Sequence, residues 1–240
     1  EPYARQGDPM DVHDPGMRWQ LDHLSDQSQR LQYRPSRDNW GPVTVPAGAE
    51  LTVSAEASFF NSINNQTKFL INEGTVRRTG SGSTTFTSSN GPGVLDNRAT
   101  VIIESGELSH DSLGGRNAGT ITVENGGVLR LGSTFTHEPT STIQGDGTVV
   151  FQGGTHSFGI LSPDQYSRVD LAGTLSLAGT LAVAVDPKYQ PKLGDEFPII
   201  RAGQVTGAFA NSINLNLGGG LSLISVIEAD GGLTLRVVSQ

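Results

Sequence analysis

The sequence predicts an all-β protein: a right-handed parallel β-solenoid with a β-rich C-terminal cap and a non-repeat N-terminal arm. Three observations predict it. A short phrase recurs five times, glycine is abundant at 31 of 240 residues while aromatics make up only 6%, and apolar residues alternate with Thr and Ser through the middle and end of the chain. Glycine supplies the left-handed turns that join short strands, and a fixed phrase recurring at unequal intervals is what stacked coils with loops of different length produce. Right-handed coiling is expected because parallel crossovers are overwhelmingly of that hand.

The phrase reads Asn72-Glu-Gly-Thr-Val76, Asn97-Arg-Ala-Thr-Val101 and Asn117-Ala-Gly-Thr-Ile121, with weaker copies Gly145-Asp-Gly-Thr-Val149 and Leu171-Ala-Gly-Thr-Leu175. Asn tolerates left-handed backbone and bonds to its own turn. When corners stack about 4.8 Å apart, identical amides can pair along the column. Asn72, Asn97 and Asn117 are therefore expected to stack as a structural ladder, beside a file of Thr75, Thr100, Thr120, Thr148 and Thr174. A second Gly (Gly106, Gly127, Gly154) precedes a second short strand in each repeat. This spacing predicts two registered strands per repeat and roughly five or six rungs between residues 43 and 175. Phe86, Phe135, Phe151 and Phe158 are read as core.

Three regions follow: an arm or cap over 1–40, solenoid rungs over 41–175, and a C-terminal β region or cap over 176–240. The arm lacks the phrase and is rich in Asp, Arg, Gln and Pro. Apolar residues at Met17, Leu21, Leu24 and Leu31 predict a short amphipathic helix over 17–31. Tyr3, Met10, Val12, Met17 and Trp19 are its candidate subunit contacts, whether the arm folds back over its own solenoid or reaches a second copy to build a homopolymer. After the alternating run Gly173–Val185 and a Pro-rich loop, strands are expected near 198–201, 213–217, 221–227 and 233–238. A cap of different design would cover the sheet edges at the solenoid's end.

Composition narrows the function. Net charge is −8, a surface that repels phosphate backbones, so no nucleic-acid partner is expected. No apolar run is long enough for a membrane-spanning helix, so no membrane insertion is expected. The absence of Cys removes thiol catalysis and Cys-based zinc sites. The chain begins at Glu1 without an apolar leader, as expected of a mature secreted product or an excised domain.

Candidate chemistry is sparse. His110 and His156, with Asp111 and Glu138 nearby, could share a face, but a metal needs three or four convergent ligands, and these histidines are read as solvated turn residues. Glycoside hydrolysis needs two carboxylates about 5–9.5 Å apart. Glu73 or Glu104 with Glu124 offers no pair repeated at one register. Arg77, Arg98 and Arg130 fall at different registers, which argues against the common groove of a lyase. No catalytic residue, metal or cofactor is expected.

The run LAGTLSLAGTLAVAVDPKYQPKLGDEFPIIRAGQVTGAF, with the upstream NEGTVRRTGSG and NAGTITVENGGVLRLG, is similar to bacterial extracellular parallel β-helix repeat proteins of the autotransporter-passenger-like and haemagglutinin-like kind. The resemblance covers roughly residues 43–240. It implies a non-enzymatic structural or adhesive module, located outside the cell or on the bacterial surface. The implied partners are the protein itself or a host or surface glycan or protein. The alternative reading is a carbohydrate-active β-helix protein.

Overall fold

The computed structural model describes residues 18–21, 43–54, 57–61, 70–88, 95–111, 114–213 and 215–240. Strand β1 (Arg18–Leu21) comes ahead of the repeat. The coils follow in order: β2 (Val43–Val45), β3 (Glu50–Val53), β4 (Ala57–Asn61); β5 (Leu70–Asn72), β6 (Thr75–Arg78), β7 (Ser83–Ser88); β8 (Leu95–Asn97), β9 (Thr100–Ile103), β10 (Gly106–His110); β11 (Gly115–Asn117), β12 (Thr120–Val123), β13 (Gly127–Leu131); β14 (Phe135–His137), β15 (Thr142–Gly145), β16 (Thr148–Phe151). The sixth coil has β17 (Thr155–Ser162), a short hairpin partner β18 (Gln165–Tyr166) and the long β19 (Arg168–Leu177); the seventh has β20 (Thr180–Val185) and β21 (Glu196–Gly207). The chain ends with β22 (Asn211–Ile213), β23 (Asn216–Gly218), β24 (Leu221–Ile227) and β25 (Leu233–Ser239).

The fold is a parallel β-solenoid, and each coil has three faces. First-face strands stack in the order β2-β5-β8-β11-β14-β17-β20-β22; second-face strands run β1-β3-β6-β9-β12-β15-β19; third-face strands run β4-β7-β10-β13-β16-β19. β19 turns the corner in one strand, pairing with β15 at 168–171 and with β16 at 174–176. The expected two strands per repeat are thus three. The strand not foreseen is the first-face one, only three residues long in the second, third and fourth coils, too short for an alternation to be read from it.

Phase explains a second correction. Thr75, Thr100 and Thr120 do stand in one file, but the file continues to Thr142 and Arg168. Thr148 and Thr174 pair with each other on the third face, in a file with Glu107 and Val128. The two weaker copies of the phrase therefore mark a different corner of the coil, between the second and third faces.

The boundary placed at residue 175 also moves. It falls inside β19, and parallel stacking continues through β21 and β22. Only then does the architecture change: β25 lies antiparallel on the first part of β21, β24 on β25, and β23 on β24, forming the β-rich cap.

At the other end, Arg18–Leu21 is extended and pairs in parallel with β3, Trp19 opposite Leu51. The helix expected over 17–31 is thus replaced at those positions by a strand; the rest of that span lies outside the described residues. The ladder bonds offered by the open edge of β3 outweigh the weak preference of a short, sparsely apolar helix.

Inside the triangle, side chains align in register columns. Val76, Val101, Ile121, Ile143, Val169 and Ile200 form one on the second face, and all six are buried. Phe86, Phe135, Phe151 and Phe158 are buried as core. Each coil alone would leave its apolar face wet; stacking buries it against the next.

Candidate functional site

Among the fully enclosed polar groups are the three asparagines of the first-face corner. Asn72, Asn97 and Asn117 are register partners on successive coils and are fully buried. Asn72 Nδ2 donates to Asn97 Oδ1, and Asn97 Nδ2 to Asn117 Oδ1, each at 2.7 Å. Each Oδ1 also faces an amide N–H of its own turn, from Gly74, Ala99 and Gly119 at 3.2, 3.4 and 3.3 Å. The amides donate onward to the next coil's carbonyls, Asn72 to Thr100 at 2.7 Å and Asn117 to Thr142 at 3.4 Å. Buried amides are costly unless satisfied; here each ties its own turn to its neighbour. The close stacking favours small residues at the turn, Gly74, Ala99 and Gly119, and at Gly119 a Cβ would sit 2.0 Å from the Ala99 carbonyl oxygen.

The ladder's column then changes character: His137 stands opposite Asn117, and Phe158 opposite His137. His156 lies in the neighbouring column opposite Phe135 and Leu181, and His110 on the third face opposite Phe86 and Leu131. All three imidazoles are buried, which corrects the reading of His110 and His156 as solvated turn residues. They belong to one aromatic cluster. His110 meets Phe135 edge-on at 5.2 Å; His137 stacks on Phe158 at 4.8 Å and faces His156 at 6.0 Å; His156 stacks on Phe151 at 4.2 Å. Gly115 makes room for it, because a Cβ there would lie 2.4 Å from the Phe135 ring and 2.6 Å from His110.

Burial sets the charge of these rings. Loss of solvent pushes the His110 and His156 imidazoles down to about 4. His137 falls well below the ordinary histidine range, first through burial and then through repulsion by His156. His156 Nε2 lies 2.9 Å from the Gly153 carbonyl, which can only accept, so that nitrogen carries the proton. All three rings are neutral near pH 7 and act as aromatic filling. Among the described residues no three His, Asp or Glu side chains converge as a metal site; His13 and His23 lie outside them. Asp111 receives a bond from Ser109 at 3.1 Å, while Glu138 takes Arg116 at 2.7 Å.

Of the groups weighed for polysaccharide chemistry, Arg77, Arg98, Arg130, Glu73 and Glu104 are held in ion pairs, while Glu124 stands exposed beside the turn ahead of β13. Arg77 bridges Glu50 and Glu104 across adjacent coils. Arg98 pairs with Glu73 and Asp96, Arg116 with Asp96 and Glu138, and Arg130 with Glu107. These carboxylates hold the Arg77, Arg98 and Arg116 guanidiniums above their ordinary range, the hydrogen bonds that the guanidiniums donate to Glu50, Asp96 and Glu138 acting first.

Arg78 was not singled out in the sequence. It points inward with 0% exposure and donates to the carbonyls of Val53, Ser81 and Gly82 at 3.3, 2.9 and 2.8 Å. Its register, opposite Val53 and Ile103, was the available signal: alternation from the outward Arg77 puts the next residue inside.

Of the arm's candidate contacts, Trp19 lies on β1; Tyr3, Met10, Val12 and Met17 lie outside the described residues. No family model and no curated protein matches the chain. Its class therefore rests on architecture: a three-faced parallel β-solenoid closed by an antiparallel β-cap.

Proposed function

We propose that the chain is a non-enzymatic structural or adhesive module of a bacterial surface or secreted protein, working outside the cell. The observation that carries this reading is the use made of its polar side chains. The buried amides join coil to coil, the arginines brace carboxylates of neighbouring coils, and the histidines fill the interior. Groups held in mutual contacts that serve the stack are poorly placed to exchange protons with a substrate. A long regular stack with an ion-paired exterior suits a spacer or a binding surface. The arm's strand lies on the first coil of its own chain, so we read it as a cover for that end. The partners that fit are a second copy, or a glycan or protein at the surface where the module stands.

The test is incubation with a panel of acidic and neutral polysaccharides, following new reducing ends and the absorbance of unsaturated uronates. No turnover is expected. Turnover abolished by substituting a single carboxylate or arginine would replace this reading with a carbohydrate-active β-helix enzyme.

A further inference from the structure

We propose that the open edge of β24 pairs with the same edge of a second copy about a twofold axis, joining the two C-terminal caps into one antiparallel sheet. β24 reads Leu-Ser-Leu-Ile-Ser-Val-Ile, with no charge, proline or glycine. Along one edge it is fully paired with β25, from Leu221 opposite Ser239 to Ile227 opposite Leu233. Along the other edge, β23 pairs only with Leu221 and Ser222, and the Leu223 N–H donates to the Leu215 carbonyl at 2.7 Å.

That last bond sets the direction of the rest. Backbone groups alternate sides along an antiparallel strand. Because Leu223 points its N–H away from β25, Ser225 and Ile227 point theirs the same way, and no described residue pairs with them. Natural edges are usually guarded by charge, proline, bulges or brevity; this stretch carries neither charge nor proline, and only its shortness, Ser225 to Ile227, limits it. It also shows large apolar side chains to water, Ile224 at 42% and Ile227 at 68% exposure. Only a few large hydrophobics among the described residues are so exposed, the others being Leu193 and Ile213, also in the C-terminal part of the chain.

The occupant that fits is another β24. An antiparallel edge is self-complementary about a twofold, and an uncharged strand meets no like charge when it faces itself. The nearest carboxylate, Glu228, is held by Arg236 at 3.1 Å. With the N–H and C=O of Ser225 and Ile227 facing outward and the Leu223 N–H already bound to Leu215, the register that bonds all of these groups places Ser225 opposite Ile227 of the second copy, and Val226 opposite Val226. Sheet order across the junction is then β21-β25-β24 followed by the same three strands reversed. The contact is smaller than the ~800 Å² per partner of a stable interface, so the dimer is a weak one that strengthens where copies are held together.

The absence of cysteine makes this directly testable. Val226→Cys places two thiols across the axis at a non-hydrogen-bonded pair, where side chains approach most closely. Under mild oxidation it is expected to form a covalent dimer many times faster than Ile224→Cys, which the register sets against Glu228. Sedimentation velocity of the unmodified chain, from about 5 to 500 µM to span weak affinities, is expected to show a monomer–dimer equilibrium. Ile227→Lys, at an exposed site, and Ser225→Pro, which removes one outward N–H, are each expected to leave only monomer. Purely monomeric wild type at the highest concentration, equal cross-linking of the two cysteine variants, or dimers undiminished by Ile227→Lys would each overturn the proposal.

Discussion

Asn117 and His137 stand opposite each other on adjacent coils, and between them the amide ladder stops. Above that point the column carries hydrogen bonds from coil to coil; below it the same position carries stacked rings. The solenoid therefore joins two ways of holding one register, an amide relay and an aromatic pack.

The relay has a centre and two ends, and they should not be equal. Asn97 both accepts from Asn72 and donates to Asn117, so Asn97→Ala breaks two ladder bonds, leaving Asn72 Nδ2 with the Thr100 carbonyl and Asn117 Oδ1 with the Gly119 N–H. At about 0.5–1.5 kcal/mol net per hydrogen bond, the two ladder bonds set an expected loss of roughly 1–3 kcal/mol. Asn72→Ala breaks one ladder bond and should cost about 1 kcal/mol less than the central change. Chemical denaturation of the three single alanine variants reads this order directly; equal losses at all three positions would show the amides to be independent.

Acid should weaken the aromatic pack. The folded chain holds His110 and His156 at about 4 and His137 lower still, whereas the unfolded chain binds protons near 6.5. The unfolded state thus takes up more protons between these values. Their stability contribution is whole above pH 6.5 and is lost as pH falls toward 4, with a slope of up to about 1.4 kcal/mol per pH unit for each histidine. His156→Phe should flatten the slope by one histidine's share. Melting temperatures measured between those pH values for wild type and variant provide the check, and an unchanged slope would refute the assignment.

Arg77 and Arg78 are neighbours with opposite surroundings. Arg77 is a partly exposed surface bridge, of a kind worth about 1 kcal/mol or less. Arg78 is enclosed among backbone carbonyls, where each charge-assisted bond contributes roughly 1.5–3 kcal/mol. Arg78→Lys, which cannot present a planar fork to several carbonyls at once, should cost at least about 2 kcal/mol more than Arg77→Lys by denaturant titration.

The arm should act as a cover. With Arg18–Leu21 laid on β3, deletion of residues 1–40 bares a parallel edge at Glu50–Val53. Electron microscopy is expected to show separate particles for the full chain and increased end-to-end association for the shortened one. Fibres from the full chain alone would instead assign the arm to a neighbouring subunit.

How much of this was readable before the structure depends on which residues repeat in phase. The three asparagines could be read because a buried amide constrains both its own turn and the next, so the phrase recurs as Asn, any residue, Gly or Ala, then Thr. The first-face strands, such as Gly115–Asn117, escaped because three residues show no period. Thr148 and Thr174 misled because a Gly-Thr turn suits any corner of the coil, so the dipeptide does not say which corner it marks. His110 and His156 looked like turn residues by type, yet period two already set them on the inward side with Leu108 and Phe158. The open edge of β24 had no signature of its own: its apolar run reads the same whether paired on both sides or one.

The amide relay has one further consequence. Every donor points from the earlier coil to the later one, and each rung carries its own complete connector: one side chain that receives from behind and hands on ahead. Such a joint does not depend on how many links the row contains. In the regular stretch successive first-face strands begin at residues 95, 115, 135 and 155, so the length of the module is adjustable in whole steps of one coil. A duplicated coil bearing its own asparagine would lengthen the rod without rewriting either neighbour, and a reach outward from the surface could be reset by copying rather than by redesign.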